Sequence, residues 1–323
     1  MPLHRGRYPI FRLFLGMILI TGLPACARQA HAGGNSNFGI LSQGIDPSIP
    51  SSTPSRRPSS TPSLIPSSTP TLRPSQTLPP TFTPFVITPL SVSGPFFIGF
   101  SVAGRPIELY QFGNGPIHRM IVAGIHGGNE WNTTLLAREL VDYIGGHPEI
   151  IPDDITLYIV PLINPDGEAR AHGLDGRVNE HGVDLNRNWD YNWQSEWPRD
   201  GCWIYRPVSA GAFAGSEPET AALMNFIQNH EIDALISYHS AALGIFPAGI
   251  PPEKRSVKLA EAVAAVSPYP YPPLDTGCQF TGNMVDWAST LGIAALDIEL
   301  SDHTHPDFEI NLRILKTFLN WRD

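Results

Sequence analysis

The sequence predicts an α/β domain, a mixed and mostly parallel sheet flanked by helices, preceded by a disordered stalk rich in proline, serine and threonine. Three observations predict it. Apolar strand-like runs alternate with helix-like runs between residues 107 and 321. Apolar residues make up 42% of the 323, enough for a sizeable core. An eight-residue proline repeat precedes the alternation and can bury nothing.

From the N-terminus, Arg5, Arg7 and Arg12 precede the apolar run "LFLGMILITGL", residues 13–23. This reads as an export signal, its apolar part too short to span a bilayer comfortably. "LPAC", residues 23–26, resembles a bacterial lipobox with Cys26 as the lipidated residue, although Pro24 is not the commonest choice there. Cleavage near "ACA" or "AHA" is the alternative and releases a soluble protein. Both readings place the mature chain outside the cytoplasm, as a cell-surface lipoprotein or a secreted protein. Residues 1–26 are therefore assigned to the signal, 27–91 to a disordered linker and 92–323 to the folded domain.

Within the linker, "SSTPSRRP", "SSTPSLIP" and "SSTPTLRP" run from Ser51 to Pro74, and "SQTLPPTFTP" continues the pattern to Pro84. Proline fixes φ and favours an extended, solvated chain. At about 3.1 Å per residue, the roughly 34 residues involved reach on the order of 100 Å. That suits a stalk lifting a domain off a membrane or through a cell wall, and its serines and threonines permit O-glycosylation.

The domain's elements follow from periodicity. "IELYQF" (107–112), "RMIVAGI" (119–125), "ITLYIVPLI" (155–163), "DALISYH" (233–239) and "IAALDIEL" (293–300) are mostly apolar runs of strand length. Residues 130–144, 218–230, 253–266, 282–291 and 307–321 carry apolar side chains three and four apart, the helical spacing. The net charge of -9, with no basic run beyond the N-terminus, excludes a nucleic-acid partner.

In open sheets of this class ligands bind at the carboxyl ends of strands. His126, His239 and Glu299 all fall at strand ends, and the polar stretch "NPDGEARAHGLDGRVNEHGVDLNRNW" (164–189) follows another strand. A bland reading exists for each: a loop histidine, a glutamate favoured in a helix's first turn, a solvated arginine. Their convergence on one sheet edge argues for a site.

These motifs, in this order, resemble the zinc carboxypeptidases of the M14 family, the carboxypeptidase A-like metallopeptidases. The resemblance covers residues 95–321 and rests on a His…Glu pair before a helix, "NPDG", "GVDLNRNW", the "YHS" histidine, a "DW" helix and a strand ending in Glu-Leu. It implies a carboxypeptidase-like three-layer fold and one Zn²⁺ held by His126, Glu130 and His239, with a fourth position open. The family spaces its first pair as His-x-x-Glu, whereas here it is His126-Gly-Gly-Asn-Glu130, so the extra residue is expected in the Gly127–Gly128 turn.

The resemblance further implies Asp184 as the acceptor orienting His126, and Arg187 with Asn186 as the holders of a substrate α-carboxylate. Arg177 would face the scissile carbonyl oxygen, with Arg170 as a rival, and Glu299 would be the general base, with Asp297 as the fallback. The family's mobile tyrosine has no counterpart, since the ungapped match is Cys278. Neutral Val285 argues against a preference for C-terminal Lys or Arg. His303 and His305 are read as polar loop residues. Whether Cys202 and Cys278 pair is left open, free thiols being slightly preferred, because nothing in the sequence brings their Cα atoms together.

The expected function is an exported metallocarboxypeptidase, monomeric, acting on peptides or cell-wall stem peptides, with membrane contact only through the lipid. An N-acyl amino acid deacylase of the aspartoacylase type and a catalytically inactive surface-binding module are the alternatives.

Overall fold

The computed structural model describes residues 92–199, 202, 208–241, 244–275 and 277–323. The signal, lipobox and stalk readings lie outside these residues. Strands β1 (Val92–Phe100), β2 (Pro106–Gly113), β3 (Ile117–Val122), β4 (Ile155–Val160), β5 (Ile232–Ser240), β6 (Gly244–Pro247) and β7 (Ala294–Leu300) form one sheet. Its order is β1-β2-β4-β3-β5-β7-β6. The central pairs β4/β3, β3/β5 and β5/β7 are parallel, and the flanking pairs β1/β2, β2/β4 and β6/β7 are antiparallel.

The helices are α1 (Trp131–Gly146), α2 (Pro165–Arg170), α3 (Pro218–Asn229), α4 (Lys254–Ala264), α5 (Met284–Thr290) and α6 (Phe308–Asn320). Alternate side chains of the strands point to opposite faces, so one sheet builds two cores. On one face Ile121, Ile159 and Ile236 meet Leu136, Leu140 and Ile144 of α1, Leu259 of α4 and Phe318 of α6. On the other, Met120, Val122 and Leu235 meet Leu223 of α3, Met284 and Trp287 of α5, and Trp189. The layers are therefore helix, sheet, helix, as expected for strands apolar on both faces.

The sequence leaves three elements unread. β1 carries Gly94, Pro95 and exposed Phe96, Phe97 and Phe100, so it lacks an apolar alternation. β6 is four residues long, too short for periodicity to register. α2 lies inside the polar stretch, started by Pro165 and by Asn164, whose side chain accepts the Gly167 N–H at 2.8 Å.

The parallel centre positions the site. β3, β5 and β7 run the same way, so the residues after β3 and at the ends of β5 and β7 emerge at one edge. Register places His239 beside Glu299 and Ser237 beside Asp297.

Candidate active site

His126 follows β3 and is 4% exposed. A 3-10 turn, Gly127–Glu130, leads from it into α1. Gly127 has φ +44°, and a Cβ there would lie 2.8 Å from the Asn164 oxygen, while one on Gly128 would collide with the Ala171 carbonyl. The close approach of the 164–176 loop thus demands both glycines, and the extra residue between His126 and Glu130 is absorbed in this turn.

Glu130 occupies the N-cap position of α1 without making a side-chain cap. Its Oε1 lies 2.7 Å from His126 Nδ1, and its Oε2 lies 3.1 Å from His239 Nδ1 and accepts the Ser240 N–H at 3.3 Å. His239 Nδ1 is 3.2 Å from His126 Nδ1. One donor atom from each of the three residues lies within 4.8 Å of the others, and all three residues are buried.

Each imidazole has a carboxylate near its outer nitrogen, hydrogen-bonded at His126 and at ion-pair distance at His239. Asp184 Oδ1 lies 3.2 Å from His126 Nε2, and Asp297 Oδ1 lies 3.3 Å from His239 Nε2, with Ser237 Oγ at 3.1 Å. A proton on Nε2 leaves Nδ1 as the lone-pair donor facing the group's centre. Two imidazoles and a carboxylate, oriented by two further carboxylates, form a donor set that fits zinc.

Asp184 also accepts from the Asn186 N–H at 3.0 Å and from Arg177 Nε at 2.9 Å. Burial opposes its ionisation, but the charges of Arg177 and His126 hold its carboxyl well below the usual range. Arg177 NH1 reaches Glu130 Oε1 at 3.2 Å. Its NH2 lies 2.9 Å from His126 Nε2, a contact that cannot be a second acceptor bond while that nitrogen donates to Asp184. Arg170 is elsewhere: its guanidinium donates to the carbonyls of Asp175, Val178 and Asn179 and staples the loop.

Asn186 Oδ1 accepts the Met284 N–H at 2.9 Å, tying this loop to α5. Arg187 is 4% exposed; its NH1 donates to the Asn186 carbonyl at 2.8 Å. Its guanidinium lies 5.6 Å from the Trp197 ring and 5.7 Å from that of Phe280, and among the described residues its buried Nε has no hydrogen-bond partner. Burial lowers its pKa, with Asp184 opposing.

All of these converge on one cavity of about 440 Å³, lined by His126, Glu130, His239, Arg177, Asn186, Arg187, Asp297 and Glu299 among others. Asp297, the fallback base from the sequence, is instead engaged with His239 and accepts from Asn283 Nδ2 at 3.2 Å. Glu299, at the end of β7, lines the same cavity; burial opposes the charge of Arg177, while Asp184, Glu130 and Glu299 favour it.

Over residues 91–318 the chain matches the family model for the zinc carboxypeptidases, Peptidase M14. The chain belongs to this zinc carboxypeptidase family. It is 28% identical over 261 residues to carboxypeptidase A6 of Mus musculus, covering 68% of this chain and 58% of the other. Murein-tripeptide amidase MpaA from Escherichia coli O157 shares the fold at a TM-score of 0.50 and 23% identity, over 73% of this chain and 94% of that one. Bovine thrombin-activatable fibrinolysis inhibitor, in complex with tick carboxypeptidase inhibitor, shares it at 0.56 and 21%, over 69% and 88%. The chain spans little more than half the length of the curated relatives it matches.

Several cavity residues differ from what the sequence leads one to expect. Cys202 and Cys278 are joined in a disulfide with Cα atoms 4.6 Å apart, against the expectation of free thiols, and both line the cavity. The bond spans 76 residues, a separation that hides proximity from any local reading. His303 lines the cavity while His305 pairs with Asp302 outside it. Asp297 of β7, held by Asn283, supports the histidine cluster across separate elements, for which the sequence carried no signal, while Ser237 supports His239 from two residues away on β5.

Proposed function

We propose that this protein is an exported zinc-dependent metallocarboxypeptidase that removes the C-terminal residue of peptides, cell-wall stem peptides included. One observation carries the reading: the His126–Glu130–His239 donor group shares a cavity with a buried arginine whose Nε lacks a hydrogen-bond partner among the described residues. A substrate carboxylate is the group that satisfies such a guanidinium, in two parallel hydrogen bonds.

Bound zinc supplies a Lewis acid for the scissile carbonyl and acidity for the attacking water. The chain's residues do the rest. Arg187, with Asn186 beside it, holds the α-carboxylate and so restricts cleavage to the chain end. Arg177 presents N–H donors where negative charge develops on the carbonyl oxygen. Glu299 takes the proton of the attacking water and returns it to the leaving amine. Asp184 and Asp297 keep both imidazoles in one tautomer and orientation.

The stem-peptide reading is favoured by the export signal and stalk read from the sequence, and by the likeness to a murein-tripeptide amidase. A digest of a peptide library with γ-linked stem peptides and N-acyl amino acids, read by mass spectrometry, tests it. Loss of single C-terminal residues is the expected result. Hydrolysis of N-acyl amino acids alone would replace this reading with the deacylase, and zinc-loaded protein that cleaves nothing would leave the inactive module. Cys26→Ser should move the protein from the membrane fraction to the medium if the lipid is attached.

A further inference from the structure

His303 stands in the loop between β7 and α6 and lines the cavity, yet no step above uses it. Its protonation pattern can be read from the network behind it. Asn132, in the first turn of α1, donates from Nδ2 to two carbonyls, Asp302 O at 2.7 Å and His305 O at 3.0 Å. Carbonyls only accept, so the amide nitrogen is fixed on that side and Oδ1 must face the other way. There Oδ1 meets Ser240 Oγ at 2.9 Å. The hydroxyl's single proton goes to that oxygen. Towards His303 Nδ1, at 3.1 Å, Ser240 Oγ can then only accept. Nδ1 therefore carries the ring's proton, and in the neutral imidazole Nε2 is a bare lone pair. Among the described residues Nε2 has no hydrogen-bond partner.

The same network fixes which side of the site this lone pair serves. Arg187 lies towards α5, where its carbonyl abuts Gly282 and its guanidinium sits by Phe280. His303 is pinned to the start of α1 and to Ser240, the residue after His239. The metal-ligand group touches both: Asn186, next to Arg187, lies 3.4 Å from His239, Ser240 donates its N–H to Glu130 at 3.3 Å, and Arg177 reaches the same carboxylate at 3.2 Å. A substrate with its carboxylate on Arg187 and its scissile carbonyl at Arg177 must lead its acyl half past Ser240, Ala241 and His303.

We propose that His303 is a specificity-determining residue whose Nε2 accepts a hydrogen bond from the amide N–H of the residue preceding the scissile bond. This rests on the carboxypeptidase reading above and sharpens it. The favoured substrates are true peptides, carrying an amide N–H in the acyl half, in preference to simple N-acyl amino acids, which have none there.

The test uses the full-length, zinc-loaded protein and two substrates differing in one atom pair. They are acetyl-alanyl-X and acetyl-lactoyl-X, the second with oxygen in place of the N–H; X is the C-terminal residue the wild type releases fastest. Wild type should favour the amide in kcat/KM by roughly three- to tenfold, the worth of one neutral hydrogen bond, mostly through KM. His303→Ala should erase that preference, and His303→Gln, which offers an acceptor oxygen, should restore part of it. Zinc content and melting temperature equal to wild type show that the variants fold. Equal slowing of both substrates in His303→Ala, or a preference that survives it, overturns the assignment while leaving the carboxypeptidase reading intact. A wild type that releases X from neither substrate overturns both.

Discussion

Glu130 sits where a 3-10 turn hands over to α1, at φ -124° and ψ 40°, a kink that turns its carboxylate from the helix end to the two imidazoles. A glutamate at a helix start ordinarily serves the macrodipole, and here it faces His126 and His239 instead. Glu299 and Asp297 share a strand and a cavity wall but differ in their neighbours, so their variants should differ too. Glu299→Gln should retain stoichiometric zinc by metal analysis while kcat falls by about 10²- to 10⁴-fold, the usual contribution of a positioned general base. Asp297→Ala should instead weaken zinc by about 10- to 100-fold in a chelator competition, as loss of a partner to a liganding imidazole does. Unchanged zinc affinity with lost turnover would return Asp297 to the role of base. Asp286 gives a pH signature. Burial, aided by the charge of Asp297, lifts its carboxyl from the ordinary 3.8 to about 6, although the Gly249 N–H and Arg187 oppose this. A raised carboxyl favours the folded state fully below about pH 4, and that contribution is lost as pH rises through about 6. Asp286→Asn keeps the acceptor for Gly249 and has nothing to ionise. In urea titrations its stability relative to wild type should therefore grow from pH 4 to pH 6 and level off above, by at most on the order of 3 kcal/mol.

Elements set how these residues meet. Gly282 shows the constraint: its φ is +59°, and a Cβ would collide with the Arg187 carbonyl. Its N–H donates to the Tyr191 carbonyl at 2.8 Å and its own carbonyl accepts the Trp189 N–H at 3.1 Å, so this one residue locks the Arg187 loop to the start of α5. Gly282→Ala should lower stability by about 1–3 kcal/mol, the cost of a strained backbone, and raise KM more than it lowers kcat. An unaltered KM in a folded variant would mean that Arg187 does not hold the substrate. The same geometry explains what could be read beforehand. The buried strands β3, β4, β5 and β7 are continuous apolar runs, so their ends, and with them His126, His239 and Glu299, were legible. Helix periods located α1, α3, α4, α5 and α6 within a few residues. What escaped was non-local. The Cys202–Cys278 bond, the Asp297–His239 pair and the Asn132–Ser240–His303 chain each join segments whose adjacency exists only after the sheet is ordered. β1 and β6 escaped for a local reason, being an exposed edge strand and a strand too short for a period.

At the scale of the whole molecule, four parallel strands aim their carboxyl ends one way, while antiparallel strands close both margins of the sheet. The two cores lie on the faces and contain none of the three metal donors. We expect the metal to act as a ligand of an already folded domain. Held by His126, Glu130 and His239, it would join the turn after β3 and the residue before α1 to the end of β5. A ligand that binds only the native state stabilises it by RT ln(1 + [L]/Kd), about 2.7 kcal/mol at a hundredfold excess over Kd and about 4.1 kcal/mol at a thousandfold. Removing zinc with a chelator should therefore leave the far-ultraviolet circular dichroism unchanged and lower the melting temperature, with zinc addition restoring it in proportion to the logarithm of its concentration. The His126→Ala/His239→Ala double variant should show the chelated melting temperature throughout and no response to zinc. If the wild type melts at one temperature with and without zinc, the three donors do not hold the ion, and hydrolysis by this cavity would have to be explained without them.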